Sequence, residues 1–131
     1  MSIEENKEIV RCFNNAWNDG KVEVIDQLAA PGCLLGGVSP QEFKVNVTEA
    51  RAVVHDMQLN IDELLAEGER VMLRWTTTGT VQSSSATLQG WPIGSSFNVT
   101  GVSIYTIRDG KIVVDWSVSN YTEMMEKAGG N

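Results

Sequence analysis

"SFNVTGVSIYTIRDGKIVVDWSVSN", residues 96–120, decides the fold. Its first half is rich in β-branched and aromatic side chains and reads as a strand. "RDG" at 108–110 is a tight-turn signal, and side chains alternate after it, so the stretch predicts an antiparallel hairpin. In the second arm Ile112, Val114, Trp116 and Val118 fall on one face. Val113, Asp115, Ser117 and Ser119 fall on the other. The apolar face is the natural core face, which would leave Asp115 exposed to solvent. The opposite arrangement would line a pocket with Asp115, Ser117 and Ser119, and a β-bulge near Trp116 would exchange the two faces.

Upstream the same period extends back to about Met57. "MQLNIDEL" alternates, "EGER" turns, and "RVMLRWTTTGTVQ" reads as a long strand. "SSSATLQGWPIGSS" reads as a loop or ragged hairpin. Before Met57 the period is helical. Ser2 and Glu5 form a capping-box pattern ahead of a helix whose Ile9, Phe13 and Trp17 recur every four residues, flanked by Val10 and Cys12, up to "NDG" at 18–20. "KVEVIDQLAA" predicts a short second helix, ended by Pro31-Gly32. Ser39 and Glu42 repeat the capping box, with Pro40 at the first position of a third helix that runs to about Val54 and buries Phe43, Val47, Ala50 and Val54. "YTEMMEKAGG" predicts a terminal helix stopped by glycines. Three helices followed by three or four long antiparallel strands define an α+β fold, with the helices against a curved sheet and a concave mouth for a small ligand.

The chain has 131 residues, enough for one domain spanning 1–131, and 42% apolar residues, enough for a core. A net charge of -7 with no basic cluster argues against nucleic acid and anionic membranes as partners. Cys12 and Cys33 match neither a zinc nor a redox spacing and read as reduced, mostly buried thiols of a cytoplasmic protein. The charged N-terminus lacks the apolar segment of a signal peptide, and no run is long enough to span a membrane. Without secretion, the Asn-x-Thr triplets at Asn46, Asn98 and Asn120 are chance matches. No phosphate loop, dinucleotide fingerprint, His-x-x-x-His or Ser-His-Asp order occurs.

The order of elements, together with "NDG", "AEGERVMLRWTTTGT", "GWPIGSSFNVTGVSIYTIRDGKI" and "DWSVSNYTEMMEKAG", resembles the SnoaL-like polyketide cyclases of the nuclear transport factor 2-like superfamily. That superfamily also holds ketosteroid isomerases and limonene epoxide hydrolases. The resemblance implies a cone-shaped fold with an inner pocket, a homodimer and no cofactor. It also implies aldol-type ring closure by an acidic residue on the last strand and a His on the strand before it. At those positions this chain carries Ser117 and Ser103, and Asn120 stands where a further Asp is common.

The candidate acids and bases are therefore Asp115 and His55. Asp115 is two residues, about 7 Å, from the family's acidic position. His55 is the only histidine, ending the third helix either as a general base or as a cation at the helix C-terminus. Its neighbour Asp56 reads as a turn cap. Arg74 and Trp75 alternate on the central strand; an inward Arg74 could pair with Asp115, an outward one would lie over the sheet. Tyr105 shares a face with Ser103. Asn120 could hold a carbonyl oxygen if the Trp116 face is inward. Trp17, Trp91 and Phe13 read as core or as ligand platform, with the Trp91-Pro92 turn at the pocket rim. The expected function is cyclisation or isomerisation of an apolar, carbonyl-bearing substrate. The alternatives are a non-catalytic ligand-binding or dimerisation module and, below it, an epoxide hydrolase needing an Asp-Arg-Asp set.

Overall fold

Four antiparallel strands in the order β1-β2-β3-β4 form one sheet, and every strand pairs with its neighbour in sequence. The computed structural model describes residues 2–85 and 88–129. The elements are α1 (Ile3–Asp19), α2 (Glu23–Leu28), α3 (Pro40–Val53), β1 (Gln58–Glu67), β2 (Arg70–Thr80), β3 (Ser96–Arg108), β4 (Lys111–Ser119) and α4 (Tyr121–Ala128). The helices cover one face of the sheet, giving the expected α+β fold. Two residues of the loop before β3, Ala86 and Thr87, and Gly130 of the terminal glycine pair lie outside the described residues.

Local chemistry sets the ends of the elements. Ser2 and Glu5 close a reciprocal capping box at α1. At α3 only half of the second box forms: Ser39 accepts from Glu42 N. The last turn of α1 has no basic residue of its own, so Arg51 of α3 supplies one, donating to Trp17 O and Asn18 O at 2.8 and 2.6 Å. Asn18 then pairs its amide with both backbone groups of Leu59, pinning α1 to β1. Asp56, expected to cap its own turn, instead accepts from Thr80 N at 2.8 Å and ties the end of α3 to the end of β2. The β3–β4 turn places Asp109 and Gly110 at φ 52° and 76°, the left-handed pair that Asp-Gly supplies in a two-residue hairpin.

Two bulges shape the sheet. One lies between Ile61 and Glu63. The other lies in β4: Ile107 faces Ile112, but Thr106 already faces Val114, so Val113 is the extra residue. The strand changes phase there. Ile112, fully buried, and Asp115, 9% exposed, share the inner face although they are three residues apart, while Val114, Trp116 and Val118 are about half exposed on the outer face. The alternation had assigned Ile112, Val114, Trp116 and Val118 to one core face. The bulge, two to three residues earlier than the one considered near Trp116, splits that set.

The free edge of β4 is covered by the connection between α2 and α3, which forms parallel bridges from Ala29 to Ile112 and from Leu35 to Asp115. On α1 the buried stripe is Asn6, Val10, Phe13, Asn14 and Ala16. Cys12 is exposed, contrary to expectation; only Cys33 is buried, and both thiols are free.

Candidate active site

Between the helices and the inner face of the sheet lies a cavity of about 420 Å³. Its walls are mostly apolar. From α1 and α3 come Phe13, Trp17 and Phe43, with Phe13 stacked on Phe43 at 5.2 Å and Trp17 edge-on to Phe43 at 5.6 Å. Trp75, Phe97, Val99 and Tyr121 line it from the sheet and α4. Polar groups converge on one part of the lining: Asn14, Ser103, Tyr105, Asp115 and Ser117.

Strand register brings these together. Ser103 lies opposite Ser117, and Tyr105 opposite Asp115, all on the inner face. Ser117 donates to Asp115 Oδ1 at 3.0 Å. The hydroxyls of Ser103 and Ser117 are 2.7 Å apart, and the Trp75 indole N–H donates to Ser103 at 3.0 Å. Trp75 reaches Ser103 across Gly101, its cross-strand partner. A Cβ at residue 101 would stand 2.5 Å from the indole, which is why the strand needs glycine there. On the other side Asn14 donates to Val10 O at 2.9 Å and to the Tyr105 hydroxyl at 3.1 Å, and that hydroxyl donates back to Asn14 Oδ1 at a long 3.3 Å.

Burial dominates the electrostatics. It pushes the Asp115 carboxyl up to about 6, against a partial opposing pull from the Ser117 hydrogen bond. Burial, then the nearby Asp115 charge, holds the Tyr105 phenol well above its usual range. The Cys33 thiol is raised in the same way, by burial and then by Asp115. Among the described residues lining the cavity there is no Lys, Arg or His, and Asp115 is the only carboxylate. A carboxyl that titrates near 6 in an apolar cavity is suited to exchange a proton with a carbon or oxygen acid near neutral pH.

The other candidates divide. Trp17, Trp75, Ser103, Tyr105 and Ser117 line the cavity with Asp115. His55 is exposed in the turn after α3 and is not brought to it. Arg74 points to the outer face, where it pairs with Asp62 and Glu63 at 3.7 and 3.5 Å, so the Arg74–Asp115 pair required for an epoxide-hydrolase arrangement does not form. Trp91 is core rather than rim. It is 4% exposed and packs behind Phe97 and Tyr121, at ring distances of 4.7 and 5.7 Å. Asn120 joins β3 to α4, accepting from Thr100 N at 2.9 Å and donating its own backbone N–H to Thr100 O, and does not line the cavity. Sequence reasoning missed Asn14, Phe97 and Tyr121. Asn14 had a signal: it follows Val10 by four residues on the buried stripe of α1, where a polar side chain needs a buried partner.

A four-stranded curved sheet with a helix-capped, carboxylate-bearing cavity defines a fold of the nuclear transport factor 2-like type. The chain belongs to the SnoaL-like polyketide cyclase family, whose model matches residues 7–127. Among solved structures it is similar to AclR, a candidate hydroxylase from Streptomyces galilaeus, with 26% identity over 99% of this chain and 88% of that one and a TM-score of 0.82. TsrD from Streptomyces laurentii shares the fold at 19% identity, covering 100% and 99% of the two chains with a TM-score of 0.85. So does IdmH, a candidate polyketide cyclase from Streptomyces antibioticus, at 21% identity, 95% and 98% coverage and a TM-score of 0.78. No curated protein matches the sequence.

Proposed function

We propose that the chain is a cofactor-free acid–base enzyme acting on an apolar, carbonyl-bearing small molecule, with Asp115 as the group that exchanges protons. The observation that carries this reading is a single buried carboxylate, titrating near 6, in a largely aromatic cavity of about 420 Å³. Ionised Asp115 takes a proton from the carbon next to a carbonyl. The resulting enolate closes a ring on a second carbonyl or is reprotonated elsewhere. The carboxylic acid then returns the proton to the new alkoxide or carbon. Tyr105 is the donor best placed for the enolate oxygen, because its bond to Asn14 Oδ1 is long and easily exchanged.

The test is deuterium exchange at the α-carbon of an apolar aryl ketone, 2-acetylnaphthalene, in D₂O, followed by proton NMR. The protein should accelerate it. Asp115→Asn, which keeps the shape and removes the titration, should lower the acceleration roughly 10²–10⁴-fold. Because the base must be ionised, wild-type activity should fall as pH drops below about 6. Equal exchange with wild type and Asp115→Asn would contradict the assignment.

A second reading, a non-catalytic ligand-binding module, is favoured by Ser103, Ser117 and Asn120 at positions often ionisable in the family. It predicts that the ketone binds without faster exchange. In either reading we place a homodimer on the outer sheet face and a reducing, cytoplasmic setting around the two free thiols. No helix of the described residues is long and apolar enough to cross a membrane.

A further inference from the structure

Four side chains from three strands form a series of hydrogen bonds, Trp75 Nε1 to Ser103, Ser103 to Ser117, and Ser117 to Asp115 Oδ1, at 3.0, 2.7 and 3.0 Å, with the Tyr105 hydroxyl also bonded to Ser103. The direction of each bond follows from the two ends. An indole N–H can only donate, and an ionised carboxylate can only accept. Each serine has one proton. Ser117 uses its proton toward Asp115, so it must accept from Ser103, which in turn accepts from Trp75. The series therefore runs one way, from Trp75 to the carboxylate, and successive bonds of one polarity strengthen each other.

We propose that Trp75, Ser103 and Ser117 act as a one-way hydrogen-bond chain that orients the Asp115 carboxylate and reserves its Oδ2 oxygen for the proton exchanged with substrate. This deepens the proposed function and rests on Asp115 being the acid–base group. A proton on Oδ1 weakens that oxygen as the acceptor of the Ser117 hydroxyl, whereas a proton on Oδ2 leaves that hydrogen bond in place. The chain explains how a site with serines at two positions often ionisable in the family keeps a usable carboxylate two residues away. Trp75, Ser103 and Ser117 are positioning residues; of the four side chains in the series only Asp115 meets the reacting atoms.

The ionisable groups around Asp115 do not supply the same control. Tyr105, opposite on β3, and Cys33, from the connection between α2 and α3, are both held protonated by burial and by Asp115 itself. Asn14 on α1 is neutral, and no described cation lines the cavity. The hydroxyl chain is thus the main influence favouring the charged form against burial.

The experiment is a pH titration of the Asp115 carboxyl carbon by NMR, with ¹³C-labelled aspartate, in the intact protein without substrate. Ser117→Ala should raise the midpoint by about one pH unit, since the ionised form loses its direct donor. Ser103→Ala and Trp75→Phe should raise it by a smaller but resolved amount, above about 0.3 unit. Ser117→Thr, which restores the hydroxyl, should return it to the wild-type value. A midpoint unmoved by Ser117→Ala overturns the proposal. So does a midpoint that moves in Ser117→Ala but in neither Ser103→Ala nor Trp75→Phe, because the chain would then end at Ser117. The titration reads the chain and the turnover of Asp115→Asn reads the acid–base assignment, so the two fail separately.

Discussion

Asp115 is where stability and chemistry pull in opposite directions. Its carboxyl holds a proton up to about pH 6 in the native state but gives it up near 3.8 when exposed. Between those values the native state binds more protons than the unfolded one, so stability from this group is full below about 3.8 and is lost as pH rises through 6. Two pH units correspond to about 3 kcal/mol. Asp115→Asn should therefore stabilise the protein at pH 7.5 by up to about 3 kcal/mol, and the difference from wild type should vanish below about pH 4. Urea unfolding of both proteins at pH 7.5 and pH 4 measures this, and an Asn variant less stable than wild type at pH 7.5 would contradict the burial of the charge. At this scale the sequence was only half legible. It named Asp115, Ser117, Ser103 and Tyr105 as sharing faces, because register follows from alternation and the Asp-Gly turn. It could not exclude His55, Arg74, Trp91 or Asn120, because which way a side chain points depends on bulges and caps that composition does not encode. Cys12 shows the same limit: it sits beside the α1 stripe and turns to solvent.

The elements were legible almost throughout, since capping residues and the change of period at Met57 mark their ends chemically. The exception matters most for function. Val113 is one extra residue in β4, and without it as a bulge the pairing from Ile107–Ile112 onward would turn Asp115 out and Val114 in. Three β-branched residues in a row, Ile112, Val113 and Val114, fit either phase, so the alternation chose the wrong face. Gly101 is the opposite case, a glycine inside a strand that does carry a readable signal of close approach. A Cβ there would meet the Trp75 ring at 2.5 Å and Val118 O at 2.6 Å. Gly101→Ala should push the indole off Ser103 and cost about 1–3 kcal/mol. Thermal unfolding together with near-ultraviolet dichroism of the tryptophans checks this, and a variant with unchanged stability and spectrum would contradict the packing described for Trp75.

At the scale of the whole molecule, the sheet has an inner face committed to the cavity and an outer face that none of the described helices covers. Register aligns Leu65, Met72, Ile104 and Trp116 in one apolar row across all four strands. Leu65 and Trp116 are 53% and 52% exposed, and Val114 and Val118 flank Trp116 at 48% and 51%. The neighbouring row reads Glu63, Arg74, Val102 and Val118, so a second copy turned over on this face could set its acidic end near the arginine. Wild type should sediment as a dimer at micromolar concentration, and Trp116→Glu should shift it to monomer while leaving the fold intact. A monomeric wild type would contradict the dimer without touching the cavity.

The account stands on one claim, that the bulged last strand carries its carboxylate into an apolar cavity and thereby holds it ready for proton transfer. Titration of the Asp115 carboxyl carbon in the unsubstituted protein reads that state directly. The structure predicts a midpoint at about 6. A midpoint at the ordinary aspartate value of about 3.9 would contradict it.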